Sequence, residues 1–358
     1  MVAAADTADD VRTPKSRAAL AFASSFTICL LAAGALSITL FGRPHPAAID
    51  LELPAPASAK KSAAHAAFAA PAAPAAPAAP AASAAQITQT IHAGANLIAD
   101  PALIENTAQG PLPRIADDGR KPMTAYAGPV AGGAKFKIAI VVSGLGISAS
   151  ATKLALDSLP GGVTLGFAPY ASDAGDWAHQ ARAKGHEVLL EIPMEPFDFP
   201  DSDPGPHTLR AGQDEEANIQ RLTWALSRFT GYAGVTNLLG QRFLSDSAAL
   251  SPLLTYLNRR GLYFFDNGAA SQSVAPTVGA QVGIPLVASG PPVDNIQSAL
   301  EIDRHLSELE TQARTNGSAV GSAFLYPVSI SRISAWAKGL QARGFVLVPA
   351  SAIVTAPK

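Results

Sequence analysis

One cysteine, Cys29, stands in 358 residues, so neither a disulfide framework nor a zinc site built on thiolates is open to this chain. Charge is scarce too. Asp, Glu, Lys and Arg make up 15% of the residues, the formal net charge is -2, and no basic stripe runs along any segment, which argues against nucleic acid as a partner. Several catalytic signatures are missing. The turn Ser143-Gly144-Leu145-Gly146 lacks the third glycine of a dinucleotide fingerprint and its spacing. No Gly-x-Ser-x-Gly elbow surrounds Ser143. Nor do any two of His179, His186, His207 and His305 stand at the spacing that puts a metal-binding pair on one helix face.

What is present begins with a long apolar run. Residues 1–17 are polar and read as a cytoplasmic N-terminus, with Arg12, Lys15 and Arg17 just ahead of an uncharged stretch, residues 18–41. That stretch is long enough to cross a hydrocarbon core of roughly 30 Å as a helix, and the basic flank predicts an inner-membrane anchor with the rest of the chain in the periplasm. The alternative is a cleaved signal peptide ending near Ala33-Gly34-Ala35, although apolar residues continue past it to Phe41. Residues 42–86 collapse to alanine and proline, with Pro71, Pro74, Pro77 and Pro80 every third residue. This spacing suits polyproline II and predicts a semi-rigid linker reaching up to roughly 130 Å. Residues 87–134 are a mixed lead-in whose apolar residues predict that it straps onto the domain that follows.

From residue 135 onward, apolar β-branched runs alternate with helical patterns. Strands are predicted at Phe136 to Val142, Val163 to Phe167, Val188 to Ile192, Ala233 to Thr236, Leu262 to Phe265, near Leu286, at Ala319 to Phe324 and at Phe345 to Val348. Helices intervene, among them Asp214 to Phe229, Ser245 to Arg259, Asn295 to Thr315 and Ile330 to Arg343. Such alternation implies a mostly parallel sheet with right-handed crossovers, and seven or eight units suit an α/β barrel better than an open sheet.

The carboxyl ends of such strands are where ligands bind. The stretch from Glu187 to His207 starts as a strand and, at Pro193, Pro196, Pro200, Pro204 and Pro206, turns into a stiff acidic loop. Glu191 and Glu195 bracket Ile192-Pro193-Met194, a spacing at which two carboxyls share a proton or hold a hard cation; the alternative leaves Glu195 solvated. Asp198, Asp201 and Asp203 lack the glycine and terminal glutamate of a calcium loop and read as solvated acids. His207 is either a general base or substrate contact, or a hydrogen-bonded loop residue. Arg242 is either a bidentate partner for an anionic polymer group or the partner of Asp246. Asp266 either faces a pocket or caps the turn that follows it.

Six segments together resemble the divergent polysaccharide deacetylases of bacterial envelopes. They are Ile140-Val-Val-Ser-Gly-Leu-Gly146, Leu159-Pro-Gly-Gly-Val-Thr-Leu-Gly-Phe-Ala-Pro-Tyr170, Gly185-His-Glu-Val-Leu-Leu-Glu-Ile-Pro-Met-Glu-Pro196, Asp203-Pro-Gly-Pro-His-Thr-Leu209, Gly231-Tyr-Ala-Gly-Val-Thr-Asn-Leu-Leu-Gly-Gln-Arg-Phe243 and Arg260-Gly-Leu-Tyr-Phe-Phe-Asp266. The resemblance covers the domain from Phe136 onward and implies an irregular (β/α)7-8 barrel acting on cell-wall glycan or polysaccharide. It also implies an Asp-His-His metal site with an aspartate base, where metal-bound water attacks an N-acetyl carbonyl. Here the paired aspartates read Ser143-Gly144, the Asn-His reads Asn237-Leu238, the Gly-His-Pro reads Leu325-Tyr326-Pro327, and Glu191 stands at a histidine position. Leu238 offers no lone pair and Gly144 no side chain, so no metal ligand and no cofactor are assigned; zinc remains only if other ligands supply it. The catalytic candidates are Glu191, His207 and Asp266, and the substrate-binding candidates Glu195, Asn237 and Arg242. Two functions stand: a carbohydrate-processing protein, or a non-catalytic module that binds glycan or an envelope protein.

Overall fold

A computed structural model describes residues 99–130, 132 and 135–354. The expected N-terminal tail, membrane helix and Ala/Pro linker lie outside these residues, as do residues 87–98 of the lead-in. Among the described residues no helix is long and apolar enough to cross a membrane.

The central strand is β3 (Phe136–Leu145), whose run Ile138-Ala-Ile-Val-Val142 has no exposed surface. Its alternation is that of a strand covered on both sides: Ile138, Ile140 and Val142 pack outward under helices, while Val141 joins an inner cluster with Leu189, Tyr263, Phe265 and Val287. Strand β9 (Ser318–Phe324) runs parallel along one edge of β3, with Lys137 opposite Ser318 and Ser143 opposite Phe324. The other edge is shared. β10 (Phe345–Leu347) pairs with its first three residues, and β4 (Thr164–Phe167) pairs from Val141 onward.

From β4 the parallel order continues through β5 (Val188–Met194), β6 (Gly234–Leu239), β7 (Tyr263–Asp266) and β8 (Leu286–Ala288). β8 and β9 are not paired as strands, but the N–H of Val293 donates to the carbonyl of Ser322 at 2.8 Å across the gap. The result is a nearly closed, all-parallel, seven-stranded α/β barrel with β10 as an added strand.

Outer helices follow from apolar stripes and capped starts. α4 (Glu215–Leu226) begins at Asp214, which accepts the N–H of Ala217 at 2.7 Å, and buries Leu222, Ala225 and Leu226. α6 (Ser247–Arg259) begins at Asp246, which accepts from Ala248 and Ala249. The two largest departures from the sequence expectation are at helix ends. α8 (Ala299–Asn316) starts four residues late because Asn295 donates to Pro292 in a turn. α9 (Pro327–Lys338) stops at Gly339 rather than reaching Arg343, whose guanidinium folds back onto the carbonyl of Trp336.

Residues 99–130 close the N-terminal end of the barrel. The hairpin β1 (Ile104–Thr107) and β2 (Gly110–Pro113) is tied down by Arg260, which meets the carboxyl of Glu105 and the carbonyl of Pro113. Leu103, Ala116 and Tyr126 pack with Ala233, Tyr263 and Ala350 in the inner cluster. The opposite, C-terminal end is the one left for a site.

Candidate functional site

Strand β5 runs further than its prolines suggest. Pro193 is a strand residue opposite Leu238 of β6, where a loop was expected to begin. The reason is local: β4 has already ended, and Leu209 takes its place, donating to the carbonyl of Pro193 at 2.9 Å and accepting from Glu195 at 2.9 Å. The missing N–H of Pro193 faces an edge where no ladder rung was due.

Glu191 is thereby carried inside the barrel with no exposed surface. Its Oε1 accepts the N–H of Gly144, while its Oε2 has no partner among the described residues. Ser143 Oγ and Thr236 Oγ1 are buried and equally without partners, and Thr236 is the β6 residue opposite Glu191. Gly166 makes room for this group, since a Cβ there would stand 3.1 Å from Ser143 Oγ and 3.2 Å from Glu191 Oε1. Burial pushes the Glu191 carboxyl up to about 8, against a smaller downward pull from Gly144 N–H. Glu195 takes no part in that shift. At neutral pH Glu191 is mainly a neutral acid, with one proton to donate among two hydroxyls.

Glu195 is buried but points elsewhere. Its Oε2 accepts the N–H of Ala211 at 2.7 Å, and Oε1 lies 3.4 Å from Nη1 of Arg242. It is neither solvated nor engaged with Glu191. Arg242 therefore pairs with Glu195, not with Asp246, whose carboxyl is occupied as the cap of α6.

Asn237 and Asp266 sit at the strand ends with their polar atoms engaged by the fold. The Asn237 amide donates to Leu239 O at 2.8 Å and to Asn267 Oδ1 at 2.9 Å, and accepts from Asn267 N at 3.0 Å. Asn267 answers by donating to Asn237 O at 2.9 Å. This reciprocal clasp holds Leu239 at a φ of 56°, a left-handed conformation that a leucine adopts only under constraint. Asp266 accepts from Gly268 N at 3.1 Å and Ser273 Oγ at 2.6 Å, and Ser273 Oγ in turn accepts the N–H of Ala275, the first residue of α7 (Ala275–Val282). It caps the turn; its carboxyl is raised by burial.

His207 lies apart from Glu191. Its ring stacks on Trp224 of α4 at 3.5 Å and 7°, and its backbone N–H donates to Tyr170 Oη at 3.1 Å. Asp198 and Asp203 accept from Ser202 and Gly205 within their own loop. The structure thus unites Glu191 with Ser143 and Thr236 beneath the barrel mouth, but separates them from His207 and from the Glu195–Arg242 pair.

Three participants escaped the sequence reading. Thr236 carried a signal, because it alternates with the outward-packed Val235 on β6. Asn267 had only its adjacency to Asp266. Asp294 had none. It lies in the Pro-rich β8–α8 connection, 1% exposed, with Oδ2 accepting from Phe324 N and Ser329 Oγ and Oδ1 without a partner among the described residues. Burial raises it too. Among the described residues no three His, Cys, Asp or Glu side chains converge to hold a metal ion.

Comparison with known proteins places this barrel. The family model described as divergent polysaccharide deacetylase matches residues 140–354. The uncharacterized protein YibQ of Escherichia coli (strain K12) is 24% identical over 237 residues, 66% of this chain and 72% of that protein. An uncharacterized protein of Haemophilus influenzae (strain ATCC 51907 / DSM 11121 / KW20 / Rd) is 23% identical over 207 residues, 58% of this chain and 73% of that one. The crystal structure of uncharacterized protein ATU2773 from Agrobacterium tumefaciens C58 superposes with a TM-score of 0.67 at 40% identity, covering 68% of this chain and all of that one.

Proposed function

The chain belongs to the divergent polysaccharide deacetylase family, and on that premise we propose that it is an envelope protein that binds cell-wall glycan without metal-dependent deacetylation. One observation carries this reading: at the end of the barrel where the family's metal would sit, the available polar groups are engaged by the fold or sealed. Asn237 is clasped to Asn267, Asp266 caps a turn, and Glu191 has no exposed surface. Ser143, Gly144 and Leu238 supply no carboxylate or imidazole. This donor set does not fit a catalytic zinc, which needs three such ligands and an open position. The competing reading is an altered hydrolase that uses Glu191 as an acid or base. It requires a substrate atom to reach a carboxyl that no solvent touches.

In this proposal residues 18–41 anchor the chain in the inner membrane, the Ala/Pro segment spaces it outward, and the barrel meets glycan at a distance from the bilayer. The test uses the full chain in detergent with zinc or manganese added, incubated with chitohexaose and with purified peptidoglycan. Retention of glycan with no acetate released is the expected result. Acetate release that a chelator abolishes would overturn the proposal. Carbonate extraction and protease accessibility in intact spheroplasts check the anchor and its orientation.

A further inference from the structure

α4 and the turn just past it carry two cations that meet no described carboxylate. Arg221, Trp224 and Arg228 follow one another at helical spacing along and just past α4. The guanidinium of Arg228 lies 4.8 Å from the Trp224 ring, with Nε donating to Trp224 O and Nη2 to Ser227 Oγ; neither partner is a carboxylate. Nη1 of Arg221 is buried without a partner among the described residues. Several other arginines do meet carboxylates: Arg120 with Asp100 and Asp118, Arg304 with Glu301 and Glu308, Arg332 with Asp303. Here no described carboxylate meets either one.

Aromatic groups complete the surface. His207 stacks on Trp224, and Tyr170 lies 5.3 Å from the same indole. Burial first, and then the charges of Arg228 and Arg221, hold the His207 ring below the usual imidazole range. Asp203, which acts on Tyr170, already accepts from Gly205 N–H at 2.8 Å. Two guanidinium groups that meet no described carboxylate, one with Nη1 left free of these fold contacts, beside a cluster of aromatic rings form the pattern that takes an oxyanion next to a sugar ring.

We propose that Tyr170, His207, Arg221, Trp224 and Arg228 form a subsite for a carboxylate-bearing sugar unit, so that the glycan this barrel prefers is anionic. The inference rests on the glycan-binding reading and specifies its ligand class. Arg221 and Arg228 approach the carboxylate with the N–H groups that these fold contacts leave open, and the aromatic group borders the ring of the sugar.

The test titrates the full chain with polygalacturonate, with phosphomannan and with neutral chitohexaose, comparing wild type with the double variant Arg221→Gln/Arg228→Gln and with Arg221→Lys/Arg228→Lys. The Gln variant is expected to weaken polygalacturonate binding by at least about tenfold, because two charge-assisted contacts go, while chitohexaose binding and the thermal midpoint stay put. The Lys variant keeps the charge and recovers part of the loss. Weakening confined to phosphomannan would overturn the carboxylate assignment. Equal affinity of wild type and the Gln variant for polygalacturonate, alongside retained chitohexaose binding, would overturn the subsite and leave the glycan reading standing. Failure of wild type to bind any of the three would remove both.

Discussion

Glu187, just before β5, and Glu191 within it flank Leu189, both with no exposed surface, and differ in what their carboxyl groups receive. Glu187 takes donors from Gly128 N, Thr164 Oγ1, Tyr263 Oη, and Ser351 through both its N–H and its Oγ. Glu191 takes one, from Gly144. The first is a structural knot joining the lead-in, two strands and the C-terminal turn; the second is a nearly bare acid under the mouth.

That contrast makes the acid legible in a pH titration. The folded carboxyl of Glu191 is raised above its unfolded value of 4.5 to about 8, so its contribution is fully present below about 4.5 and is lost as pH rises toward and through 8. The loss has an upper bound on the order of 5 kcal/mol. Glu191→Gln keeps an acceptor for Gly144 and does not titrate. Urea melts of the variant should therefore show a shallower fall in stability over that window. Asp266 and Asp294 are raised as well and shift both proteins in the same direction, so an unchanged slope in the variant would refute the assignment to Glu191.

Removing Glu187 is a test of connectivity. Glu187→Ala leaves several buried donors without an acceptor and should cost at least about 3 kcal/mol in urea unfolding. It should also loosen residues 99–130, which hydrogen exchange reads directly at Gly128 and Tyr126. Protection there unchanged from wild type would show that the lead-in is held by other contacts.

The Asn237–Asn267 clasp predicts a stability effect in place of a binding effect. Asn237→Ala strands Asn267 N–H and the carbonyl of Leu239, with an expected loss of about 2 to 4 kcal/mol. In stably folded preparations at low temperature, glycan retention should match wild type. Lost retention with an unchanged melt would make Asn237 a ligand contact instead.

Glu195 and Arg242 form an asymmetric pair. Arg242 is 53% exposed, so Arg242→Ala should cost under about 1 kcal/mol. Glu195→Ala strands the N–H of Ala211 and should cost about 1 to 3 kcal/mol. A larger loss for Arg242 than for Glu195 in thermal melts would reverse the order that burial dictates.

Side-chain type and spacing already specified much of this protein. The β-branched run at Phe136–Val142, the apolar Val188–Ile192 and the capping Asp214 and Asp246 mark elements wherever they sit, because strand and helix periodicities are local properties of the chain. Their alternation is enough for an α/β barrel, and the six motif segments are enough for the family. The site was another matter. Asp266 is a turn cap and Glu195 an acceptor for Ala211, and no local pattern separates these from ligand contacts. Pro193 belongs to a strand only because β4 ends early and Leu209 fills its place. Arg242 chose Glu195 over the acid nearer in sequence because Asp246 was already held by α6.

Partners of this kind depend on which strand ends converge and how deeply, and convergence is a property of the closed barrel. Glu191 and Glu195 are both glutamates of one strand end. Tertiary structure alone decided that the first would be sealed in as a neutral acid and the second held by a backbone N–H and an arginine, since burial and hydrogen-bond supply, not residue type, set the charge a carboxyl carries.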